Sequence, residues 1–232
     1  MKFKLEDTEI QKLIMSDLYL GSLIIYIGTA ELHLEPDGFK CLVKYIIGQQ
    51  ISDKARETIW LRLCDILPEL TPEAILVKAD SEIQGIGISN RKVEYIKNLA
   101  NAIVNKLVDF KKLRLLTNKE IITQLTELKG IGRWTAEMYM IFSLGRLDVL
   151  STGDGTIKRT IQWMYNLEKI PSSKEIGVLF EKKKWVQSAT IVSFYLWEAI
   201  ARNLTVFPFA TKILNGGEID GKRSCHLDGN GN

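Results

Sequence analysis

Between residues 39 and 199, apolar side chains recur at intervals of three and four almost without a break, a period that admits little but α-helix. Phe39, Leu42, Val43, Ile46 and Ile47 make one such stripe, with Asp37 placed to cap it. Ala55, Ile59 and Leu63 repeat every four residues, and Val93, Ile96, Ala100 and Ile103 mark a further helix that starts at Ser89-Asn90. The start signals are local. Thr71-Pro72-Glu73 sets a cap before a proline at the first helical position. Thr117-Asn-Lys-Glu120 and Ser172-Ser-Lys-Glu175 both fit the S/T-x-x-E capping box, in which side chain and backbone cap each other reciprocally. Residues 187–203 close the series around Ile191 and Tyr195. Leu147–Leu150, short and set between two helices, reads as an extended connector. The expected class is all-α, with roughly ten helices and no repeat of 20–50 residues.

Several function classes drop out on composition. The 232 residues carry a net charge of +3 and 46% hydrophobic residues, enough core for one large or two small domains. That mild basicity permits a nucleic-acid partner without requiring one. The runs Lys111-Lys112-Leu113-Arg114 and Lys182-Lys183-Lys184 read as solvated helix ends. The opening MKFKLEDTEI carries acids where a secretion signal is apolar, and the apolar run at 18–28 is far short of the ~20 residues a membrane span needs. No membrane partner is expected. Cys41, Cys64 and Cys225 are scattered, which speaks against a zinc site or a four-cysteine iron–sulfur cluster and for a reduced compartment, the cytoplasm. With only His33 and His226, histidine chemistry is improbable. Residues 215–232, glycine-rich and polar, are expected to be a disordered tail.

The stretch LKGIGRWTAEMYM, from Leu128, joins a helix over 117–127 to one over 133–144 through a Gly-Ile-Gly turn. So short a turn needs residues with free φ, which Gly130 and Gly132 supply. Glycines here also bare their backbone N–H groups beside a helix N-terminus, a concavity that suits an anion such as a nucleic-acid phosphate. An ordinary αα-hairpin would use the same residues.

The continuation narrows the choice. Asp154, in FSLGRLDVLSTGDGTIKRT, follows the second hairpin helix and the connector. This order of LKGIG, helix, connector, Gly-Asp and helix resembles the helix-hairpin-helix, Gly/Pro-Asp superfamily of DNA base-excision glycosylases. Residues 39–55 (FKCLVKYIIGQQISDKA) are similar to the family's Gly-Gln-Gln segment, and 83–100 (IQGIGISNRKVEYIKNLA) to its Gly-Met/Ile-Ser-x-Arg-Lys segment. Phe194–Glu198 (FYLWE) resembles its closing Tyr-Leu-Trp helix. Together these span about residues 37–200, most like the 3-methyladenine DNA glycosylase II type. The implied fold is two-lobed and all-α without an iron–sulfur cluster: a six-helix lobe over 38–153, and a second lobe from 1–37 plus 154–214, with residues 1–36 helical.

The resemblance assigns roles residue by residue. Loss of a base leaves positive charge on the deoxyribose, so an anion is needed there, together with a base to activate water. The family's Asp falls at Asp154, which could also serve only as a helix cap. Members that also cut the strand use a lysine where this chain has Trp134, which implies a monofunctional hydrolase. Trp134, Met138 and Trp197 match base-pocket positions, with Tyr195 and Tyr139 as further neighbours; such aromatics attract cationic N-alkylated purines, or else are simply core. Leu128, Gly130, Ile131, Gly132 and Arg133 would grip DNA, and Gln50 would fill the hole left by the flipped nucleotide unless it only ends a helix. Arg91 and Lys92 are candidate phosphate contacts. The carbonyls of Thr126, Leu128 and Ile131 would hold a monovalent cation when DNA is bound; no other cofactor is implied. The expected partner is damaged duplex DNA, bound by a monomer. Gly155-Thr156 replaces the Leu-Gly common in bacterial relatives, and the segment at 184–198 lacks a usual Pro-Tyr-Arg-Ser. Alternatives are a glycosylase for hypoxanthine, uracil or 8-oxoguanine, and a non-enzymatic hairpin DNA binder.

Overall fold

Each helix start anticipated from a capping residue is found in the computed structural model of the protein, which describes residues 1–214. The Asp37 carboxylate accepts from Phe39 and Lys40 N–H, Thr71 from Ala74 and Ser89 from Lys92. Both capping boxes close: Thr117 and Glu120 bond reciprocally, as do Ser172 and Glu175. These starts depend on neighbours three residues apart, so they survive whatever tertiary structure forms. The expected tail at 215–232 lies outside the described residues.

The chain divides into two units, one of residues 33–146, the other of residues 1–32 together with the chain from 147 onward. The second unit begins with β1 (Lys2–Phe3), α1 (Thr8–Ser16), α2 (Leu18–Ile27) and β2 (Ala30–Glu31). β1 and β2 pair antiparallel, Lys2 opposite Glu31 and Phe3 opposite Ala30. Residues 1–36 are therefore not helical throughout, but strands of two residues are too short for an alternating pattern to register.

The unit 33–146 holds α3 (Gly38–Gly48), α4 (Asp53–Ile66), α5 (Pro72–Val77), α6 (Asp80–Gly85), α7 (Asn90–Val104), α8 (Phe110–Leu113), α9 (Asn118–Thr126) and α10 (Arg133–Phe142). Eight helices stand where six were expected, since α6 and α8 are shorter than two turns and carry no readable period. The five stripe residues of α3 are all buried. On α4 the stripe is thinner, with Leu63 buried and Ala55 and Ile59 half-buried.

The chain returns to the other unit with α11 (Gly155–Met164), α12 (Ser173–Lys182) and α13 (Ala189–Ala201). α13 is apolar nearly all round and is the buried helix of this unit; eight of its residues, from Ala189 to Ala199, are buried. The Thr160 hydroxyl of α11 lies 3.1 Å from the buried Leu196 carbonyl. Leu147–Leu150, expected as an extended connector, bends at Leu147 and Asp148 and belongs with α13: Thr190 N–H donates to the Leu147 carbonyl at 2.9 Å, and the Thr190 hydroxyl bonds both backbone groups of Val149. This pinning puts the boundary at 146/147 rather than at the expected 153/154; the other boundary falls at 32/33 rather than 37/38. Among the described residues no helix is long and apolar enough to cross a membrane.

Candidate active site

Asp154 is placed by the sequence around it. With the connector fixed on Thr190, the chain turns at Ser151, whose carbonyl accepts from Asp154 N–H at 3.0 Å. Asp154 then caps α11: its Oδ1 accepts from Thr156 N–H at 2.8 Å and Ile157 N–H at 3.0 Å. A third donor, Trp197 Nε1, reaches the same oxygen at 3.3 Å from α13. The residue is 8% exposed. Capping and catalysis were alternatives in the sequence; the cap bonds are present, and they hold the carboxylate in one orientation. Gly155-Thr156 does not disturb this turn, because Gly155 is simply the first helical residue.

Tyr195 does not join Trp197. Two residues apart on a helix, the two side chains point about 200° apart. The Tyr195 ring is fully buried, and its hydroxyl donates to the Gly28 carbonyl at 3.2 Å. Burial pushes that hydroxyl up to about 12, so it stays protonated near neutral pH. Trp197 is half-buried.

In the other unit the Gly-Ile-Gly turn links α9 to α10 as expected, but its two glycines serve different purposes. Gly130 sits at φ +98°, and a Cβ there would lie 2.0 Å from the Tyr95 ring, so both conformation and packing demand glycine. Gly132 has an ordinary extended backbone, φ −91°, with no atom within 4 Å of a would-be Cβ. Free φ therefore does not explain Gly132. As the cap of α10 it supplies no side-chain acceptor to the first-turn amides and leaves open space before them. Ile131, 3% exposed, anchors the turn, and its N–H donates to the Leu128 carbonyl at 3.0 Å. Arg133 is exposed and its Nε donates to buried Glu137 at 2.8 Å.

Trp134 is half-buried, its ring edge-on to Tyr45 at 5.9 Å. Met138 follows one turn along α10 and is buried. Tyr139 packs into the core against Phe110, its ring centroid 5.7 Å away, and burial pushes its hydroxyl up to about 12. Gln50 is exposed at φ +59°, left-handed for a non-glycine residue. Lys92, read as a phosphate contact, is turned inward: its ammonium donates to the Ile47 and Gln49 carbonyls at 2.7 Å each. Arg91 stays exposed. Tyr45, Gln49 and Tyr95 escaped the sequence reading because each acts on residues dozens of positions away.

Among the described residues no group of three or more His, Cys, Asp or Glu could hold a metal ion. The carbonyls of Thr126, Leu128 and Ile131 belong to the hairpin. That of Leu128 already accepts one bond and has a second lone pair, and neutral carbonyl oxygens suit a singly charged hard cation.

A glycine hairpin opening a helix without a side-chain cap, and a Gly-Asp cap beside an indole, define a helix-hairpin-helix fold joined to a carboxylate site. The chain belongs to the HhH-GPD superfamily of base excision DNA repair proteins, whose family model matches residues 43–185. It is 34% identical to DNA-3-methyladenine glycosylase 1 of Schizosaccharomyces pombe over 68% of this chain and 70% of that one. It is 31% identical to the alkylbase DNA glycosidase-like protein mag2 of the same organism, over 77% and 86%. A crystal structure of DNA-3-methyladenine glycosidase from Bacillus halodurans matches with a TM-score of 0.76 at 32% identity, covering 93% of this chain and 99% of that one.

Proposed function

We propose that the protein is a monofunctional DNA glycosylase that hydrolyses the N-glycosidic bond of alkylated bases such as 3-methyladenine in base excision repair. The observation that carries this reading is the Asp154 carboxylate, fixed through Oδ1 by two backbone amides and the Trp197 indole. A fixed anion stabilises the cationic sugar that forms as the base leaves, and it can take a proton from the attacking water. N-alkylated purines are cationic and leave readily, so no separate general acid is required. Trp197, beside Asp154, is assigned to hold the extruded base, and its indole face attracts the charge. Tyr195 is set aside as core.

The first-turn amides of α10, beside the open space at Gly132, offer a seat for a backbone phosphate. The carbonyls of Thr126, Leu128 and Ile131 would hold a monovalent cation, which would supply positive charge near the DNA backbone. Similarity to the Schizosaccharomyces pombe 3-methyladenine DNA glycosylase solved in complex with abasic DNA, with a TM-score of 0.73 at 28% identity, supports DNA as the partner. A monomer acting in the cytoplasm completes the proposal. Trp134 in place of an attacking lysine predicts that alkylated duplex loses its base while the strand stays intact until the abasic site is cleaved chemically. Borohydride should trap no enzyme–DNA adduct; a trapped adduct would mean a Schiff-base lyase instead.

A further inference from the structure

The inward turn of Lys92 has a partner in Gln49. α3 ends at Gly48, and a helix end leaves its last carbonyls without intrahelical donors. Lys92, near the start of α7, supplies them: its ammonium bonds the Ile47 and Gln49 carbonyls, one on each side of Gly48. The Gln49 side chain leads away in the other direction. Its amide donates to the Gly130 carbonyl of the hairpin at 2.9 Å and to Thr135 Oγ1 in the first turn of α10 at 3.1 Å. The next residue is Gln50, exposed and left-handed. It follows the C-cap of α3, as left-handed Lys106, Asn166, Lys184 and Asn203 follow the caps of their own helices; what sets it apart is that its neighbour Gln49 is bonded on both sides. Burial, and secondarily the Arg91 charge, hold the Lys92 ammonium below the usual lysine value, so the bond pair is made against a desolvation cost.

α7 supports the same turn twice more. Tyr95 lies against Gly130, and Lys129 pairs with Glu94 at 2.5 Å. The link from Lys92 to Gln49 to Gly130 and Thr135 runs entirely within residues 33–146.

We propose that Lys92 and Gln49 are positioning residues that hold Gln50 in its left-handed projection and tie it to the hairpin, so that filling of the DNA stack and grip on the phosphate occur in one geometry. This rests on the glycosylase reading and on Gln50 as the residue that enters the stack. Neither side chain need touch DNA. Their effect passes through Gln50, and that distinguishes positioning from general stabilisation.

The test is a mutant cycle in single-turnover excision of 3-methyladenine from duplex DNA, with Lys92→Met, Gln50→Ala and the double variant. Misplacement of a working group by about an ångström lowers rates tenfold or more, so Lys92→Met should lose about tenfold on duplex. In the Gln50→Ala background the same change should cost less than about twofold, because the residue it positions is gone. Lys92→Arg, which keeps a cationic donor, should recover most of the rate. Equal losses with and without the Gln50 side chain would overturn the proposal. If Lys92→Met does not fold, Gln49→Ala reads the same cycle, since it removes a half-buried amide and no charge. Wild-type excision is the control: its absence refutes the glycosylase reading, whereas additive losses beside active wild type refute only the positioning role.

Discussion

The indole N–H of Trp197 donates at 3.3 Å to Oδ1 of Asp154, the oxygen that also caps α11. One side chain therefore combines an aromatic face suited to a cationic base with a donor that orients the carboxylate. The two roles separate by mutation. Trp197→Phe keeps a ring and removes the donor, a loss of about 1 kcal/mol of orientation, or roughly fivefold in kcat with KM little changed. Trp197→Ala should lose more and raise KM as well, because stacking goes with it. Steady-state kinetics on alkylated duplex would decide, and equal effects of the two changes would deny Trp197 a donor role.

The two hairpin glycines should part company. At Gly130 a methyl group meets both a φ of +98° and the Tyr95 ring, so Gly130→Ala should destabilise by about 2–4 kcal/mol. Gly132→Ala meets nothing in the protein and should cost only about 0.5–1 kcal/mol, the difference between glycine and alanine as a helix N-cap. It should nevertheless weaken duplex binding, since the methyl group stands where a phosphate would approach the amides. Thermal unfolding and binding titrations of the two variants check both halves. Unchanged affinity in Gly132→Ala would move the phosphate seat elsewhere.

The capping boxes have a pH signature. Hydrogen bonds from the Thr117 hydroxyl and backbone N–H hold the Glu120 carboxyl below its ordinary 4.5, and Ser172 does the same for Glu175. A depressed folded value means the contribution is present above the unfolded value and is lost as pH falls through the folded one. Glu120→Gln and Glu175→Gln should therefore be less stable than wild type near neutral pH, and the gap should narrow below about pH 4. Urea unfolding across that range measures it; a constant gap would mean that the carboxylate charge plays no part.

These contrasts follow what the sequence could disclose. Capping signals and the α3 stripe depend on neighbours three or four residues apart, and they were legible and found. Gly130 was legible as a turn glycine. Of the two reasons the sequence offers for Gly132, free φ does not apply and the bared amides beside a helix start do, since sequence does not distinguish a glycine that bends the chain from one that clears space. Gln49 and Gln50 are told apart in the sequence only by the family resemblance, which singles out Gln50 and is silent on Gln49. Their different fates, one bonded to Gly130 and Thr135 and the other exposed, depend on a hairpin some eighty residues away. Lys92 misled for the same reason, as a cation beside Arg91 that turns inward only because α3 ends against it. Tyr195 and Trp197 read as one aromatic cluster, and the helix separates them.

The central claim is that Asp154 performs the chemistry and is more than a cap. Asparagine can accept the same bonds from Thr156 and Ile157, so Asp154→Asn preserves the turn and removes only the charge and the base. Release of 3-methyladenine and 7-methylguanine from alkylated duplex, wild type beside Asp154→Asn, is the direct measurement. We predict release by wild type and a loss of at least about a hundredfold in the variant, with unfolding temperature and duplex binding retained. Equal release by both proteins would contradict the account.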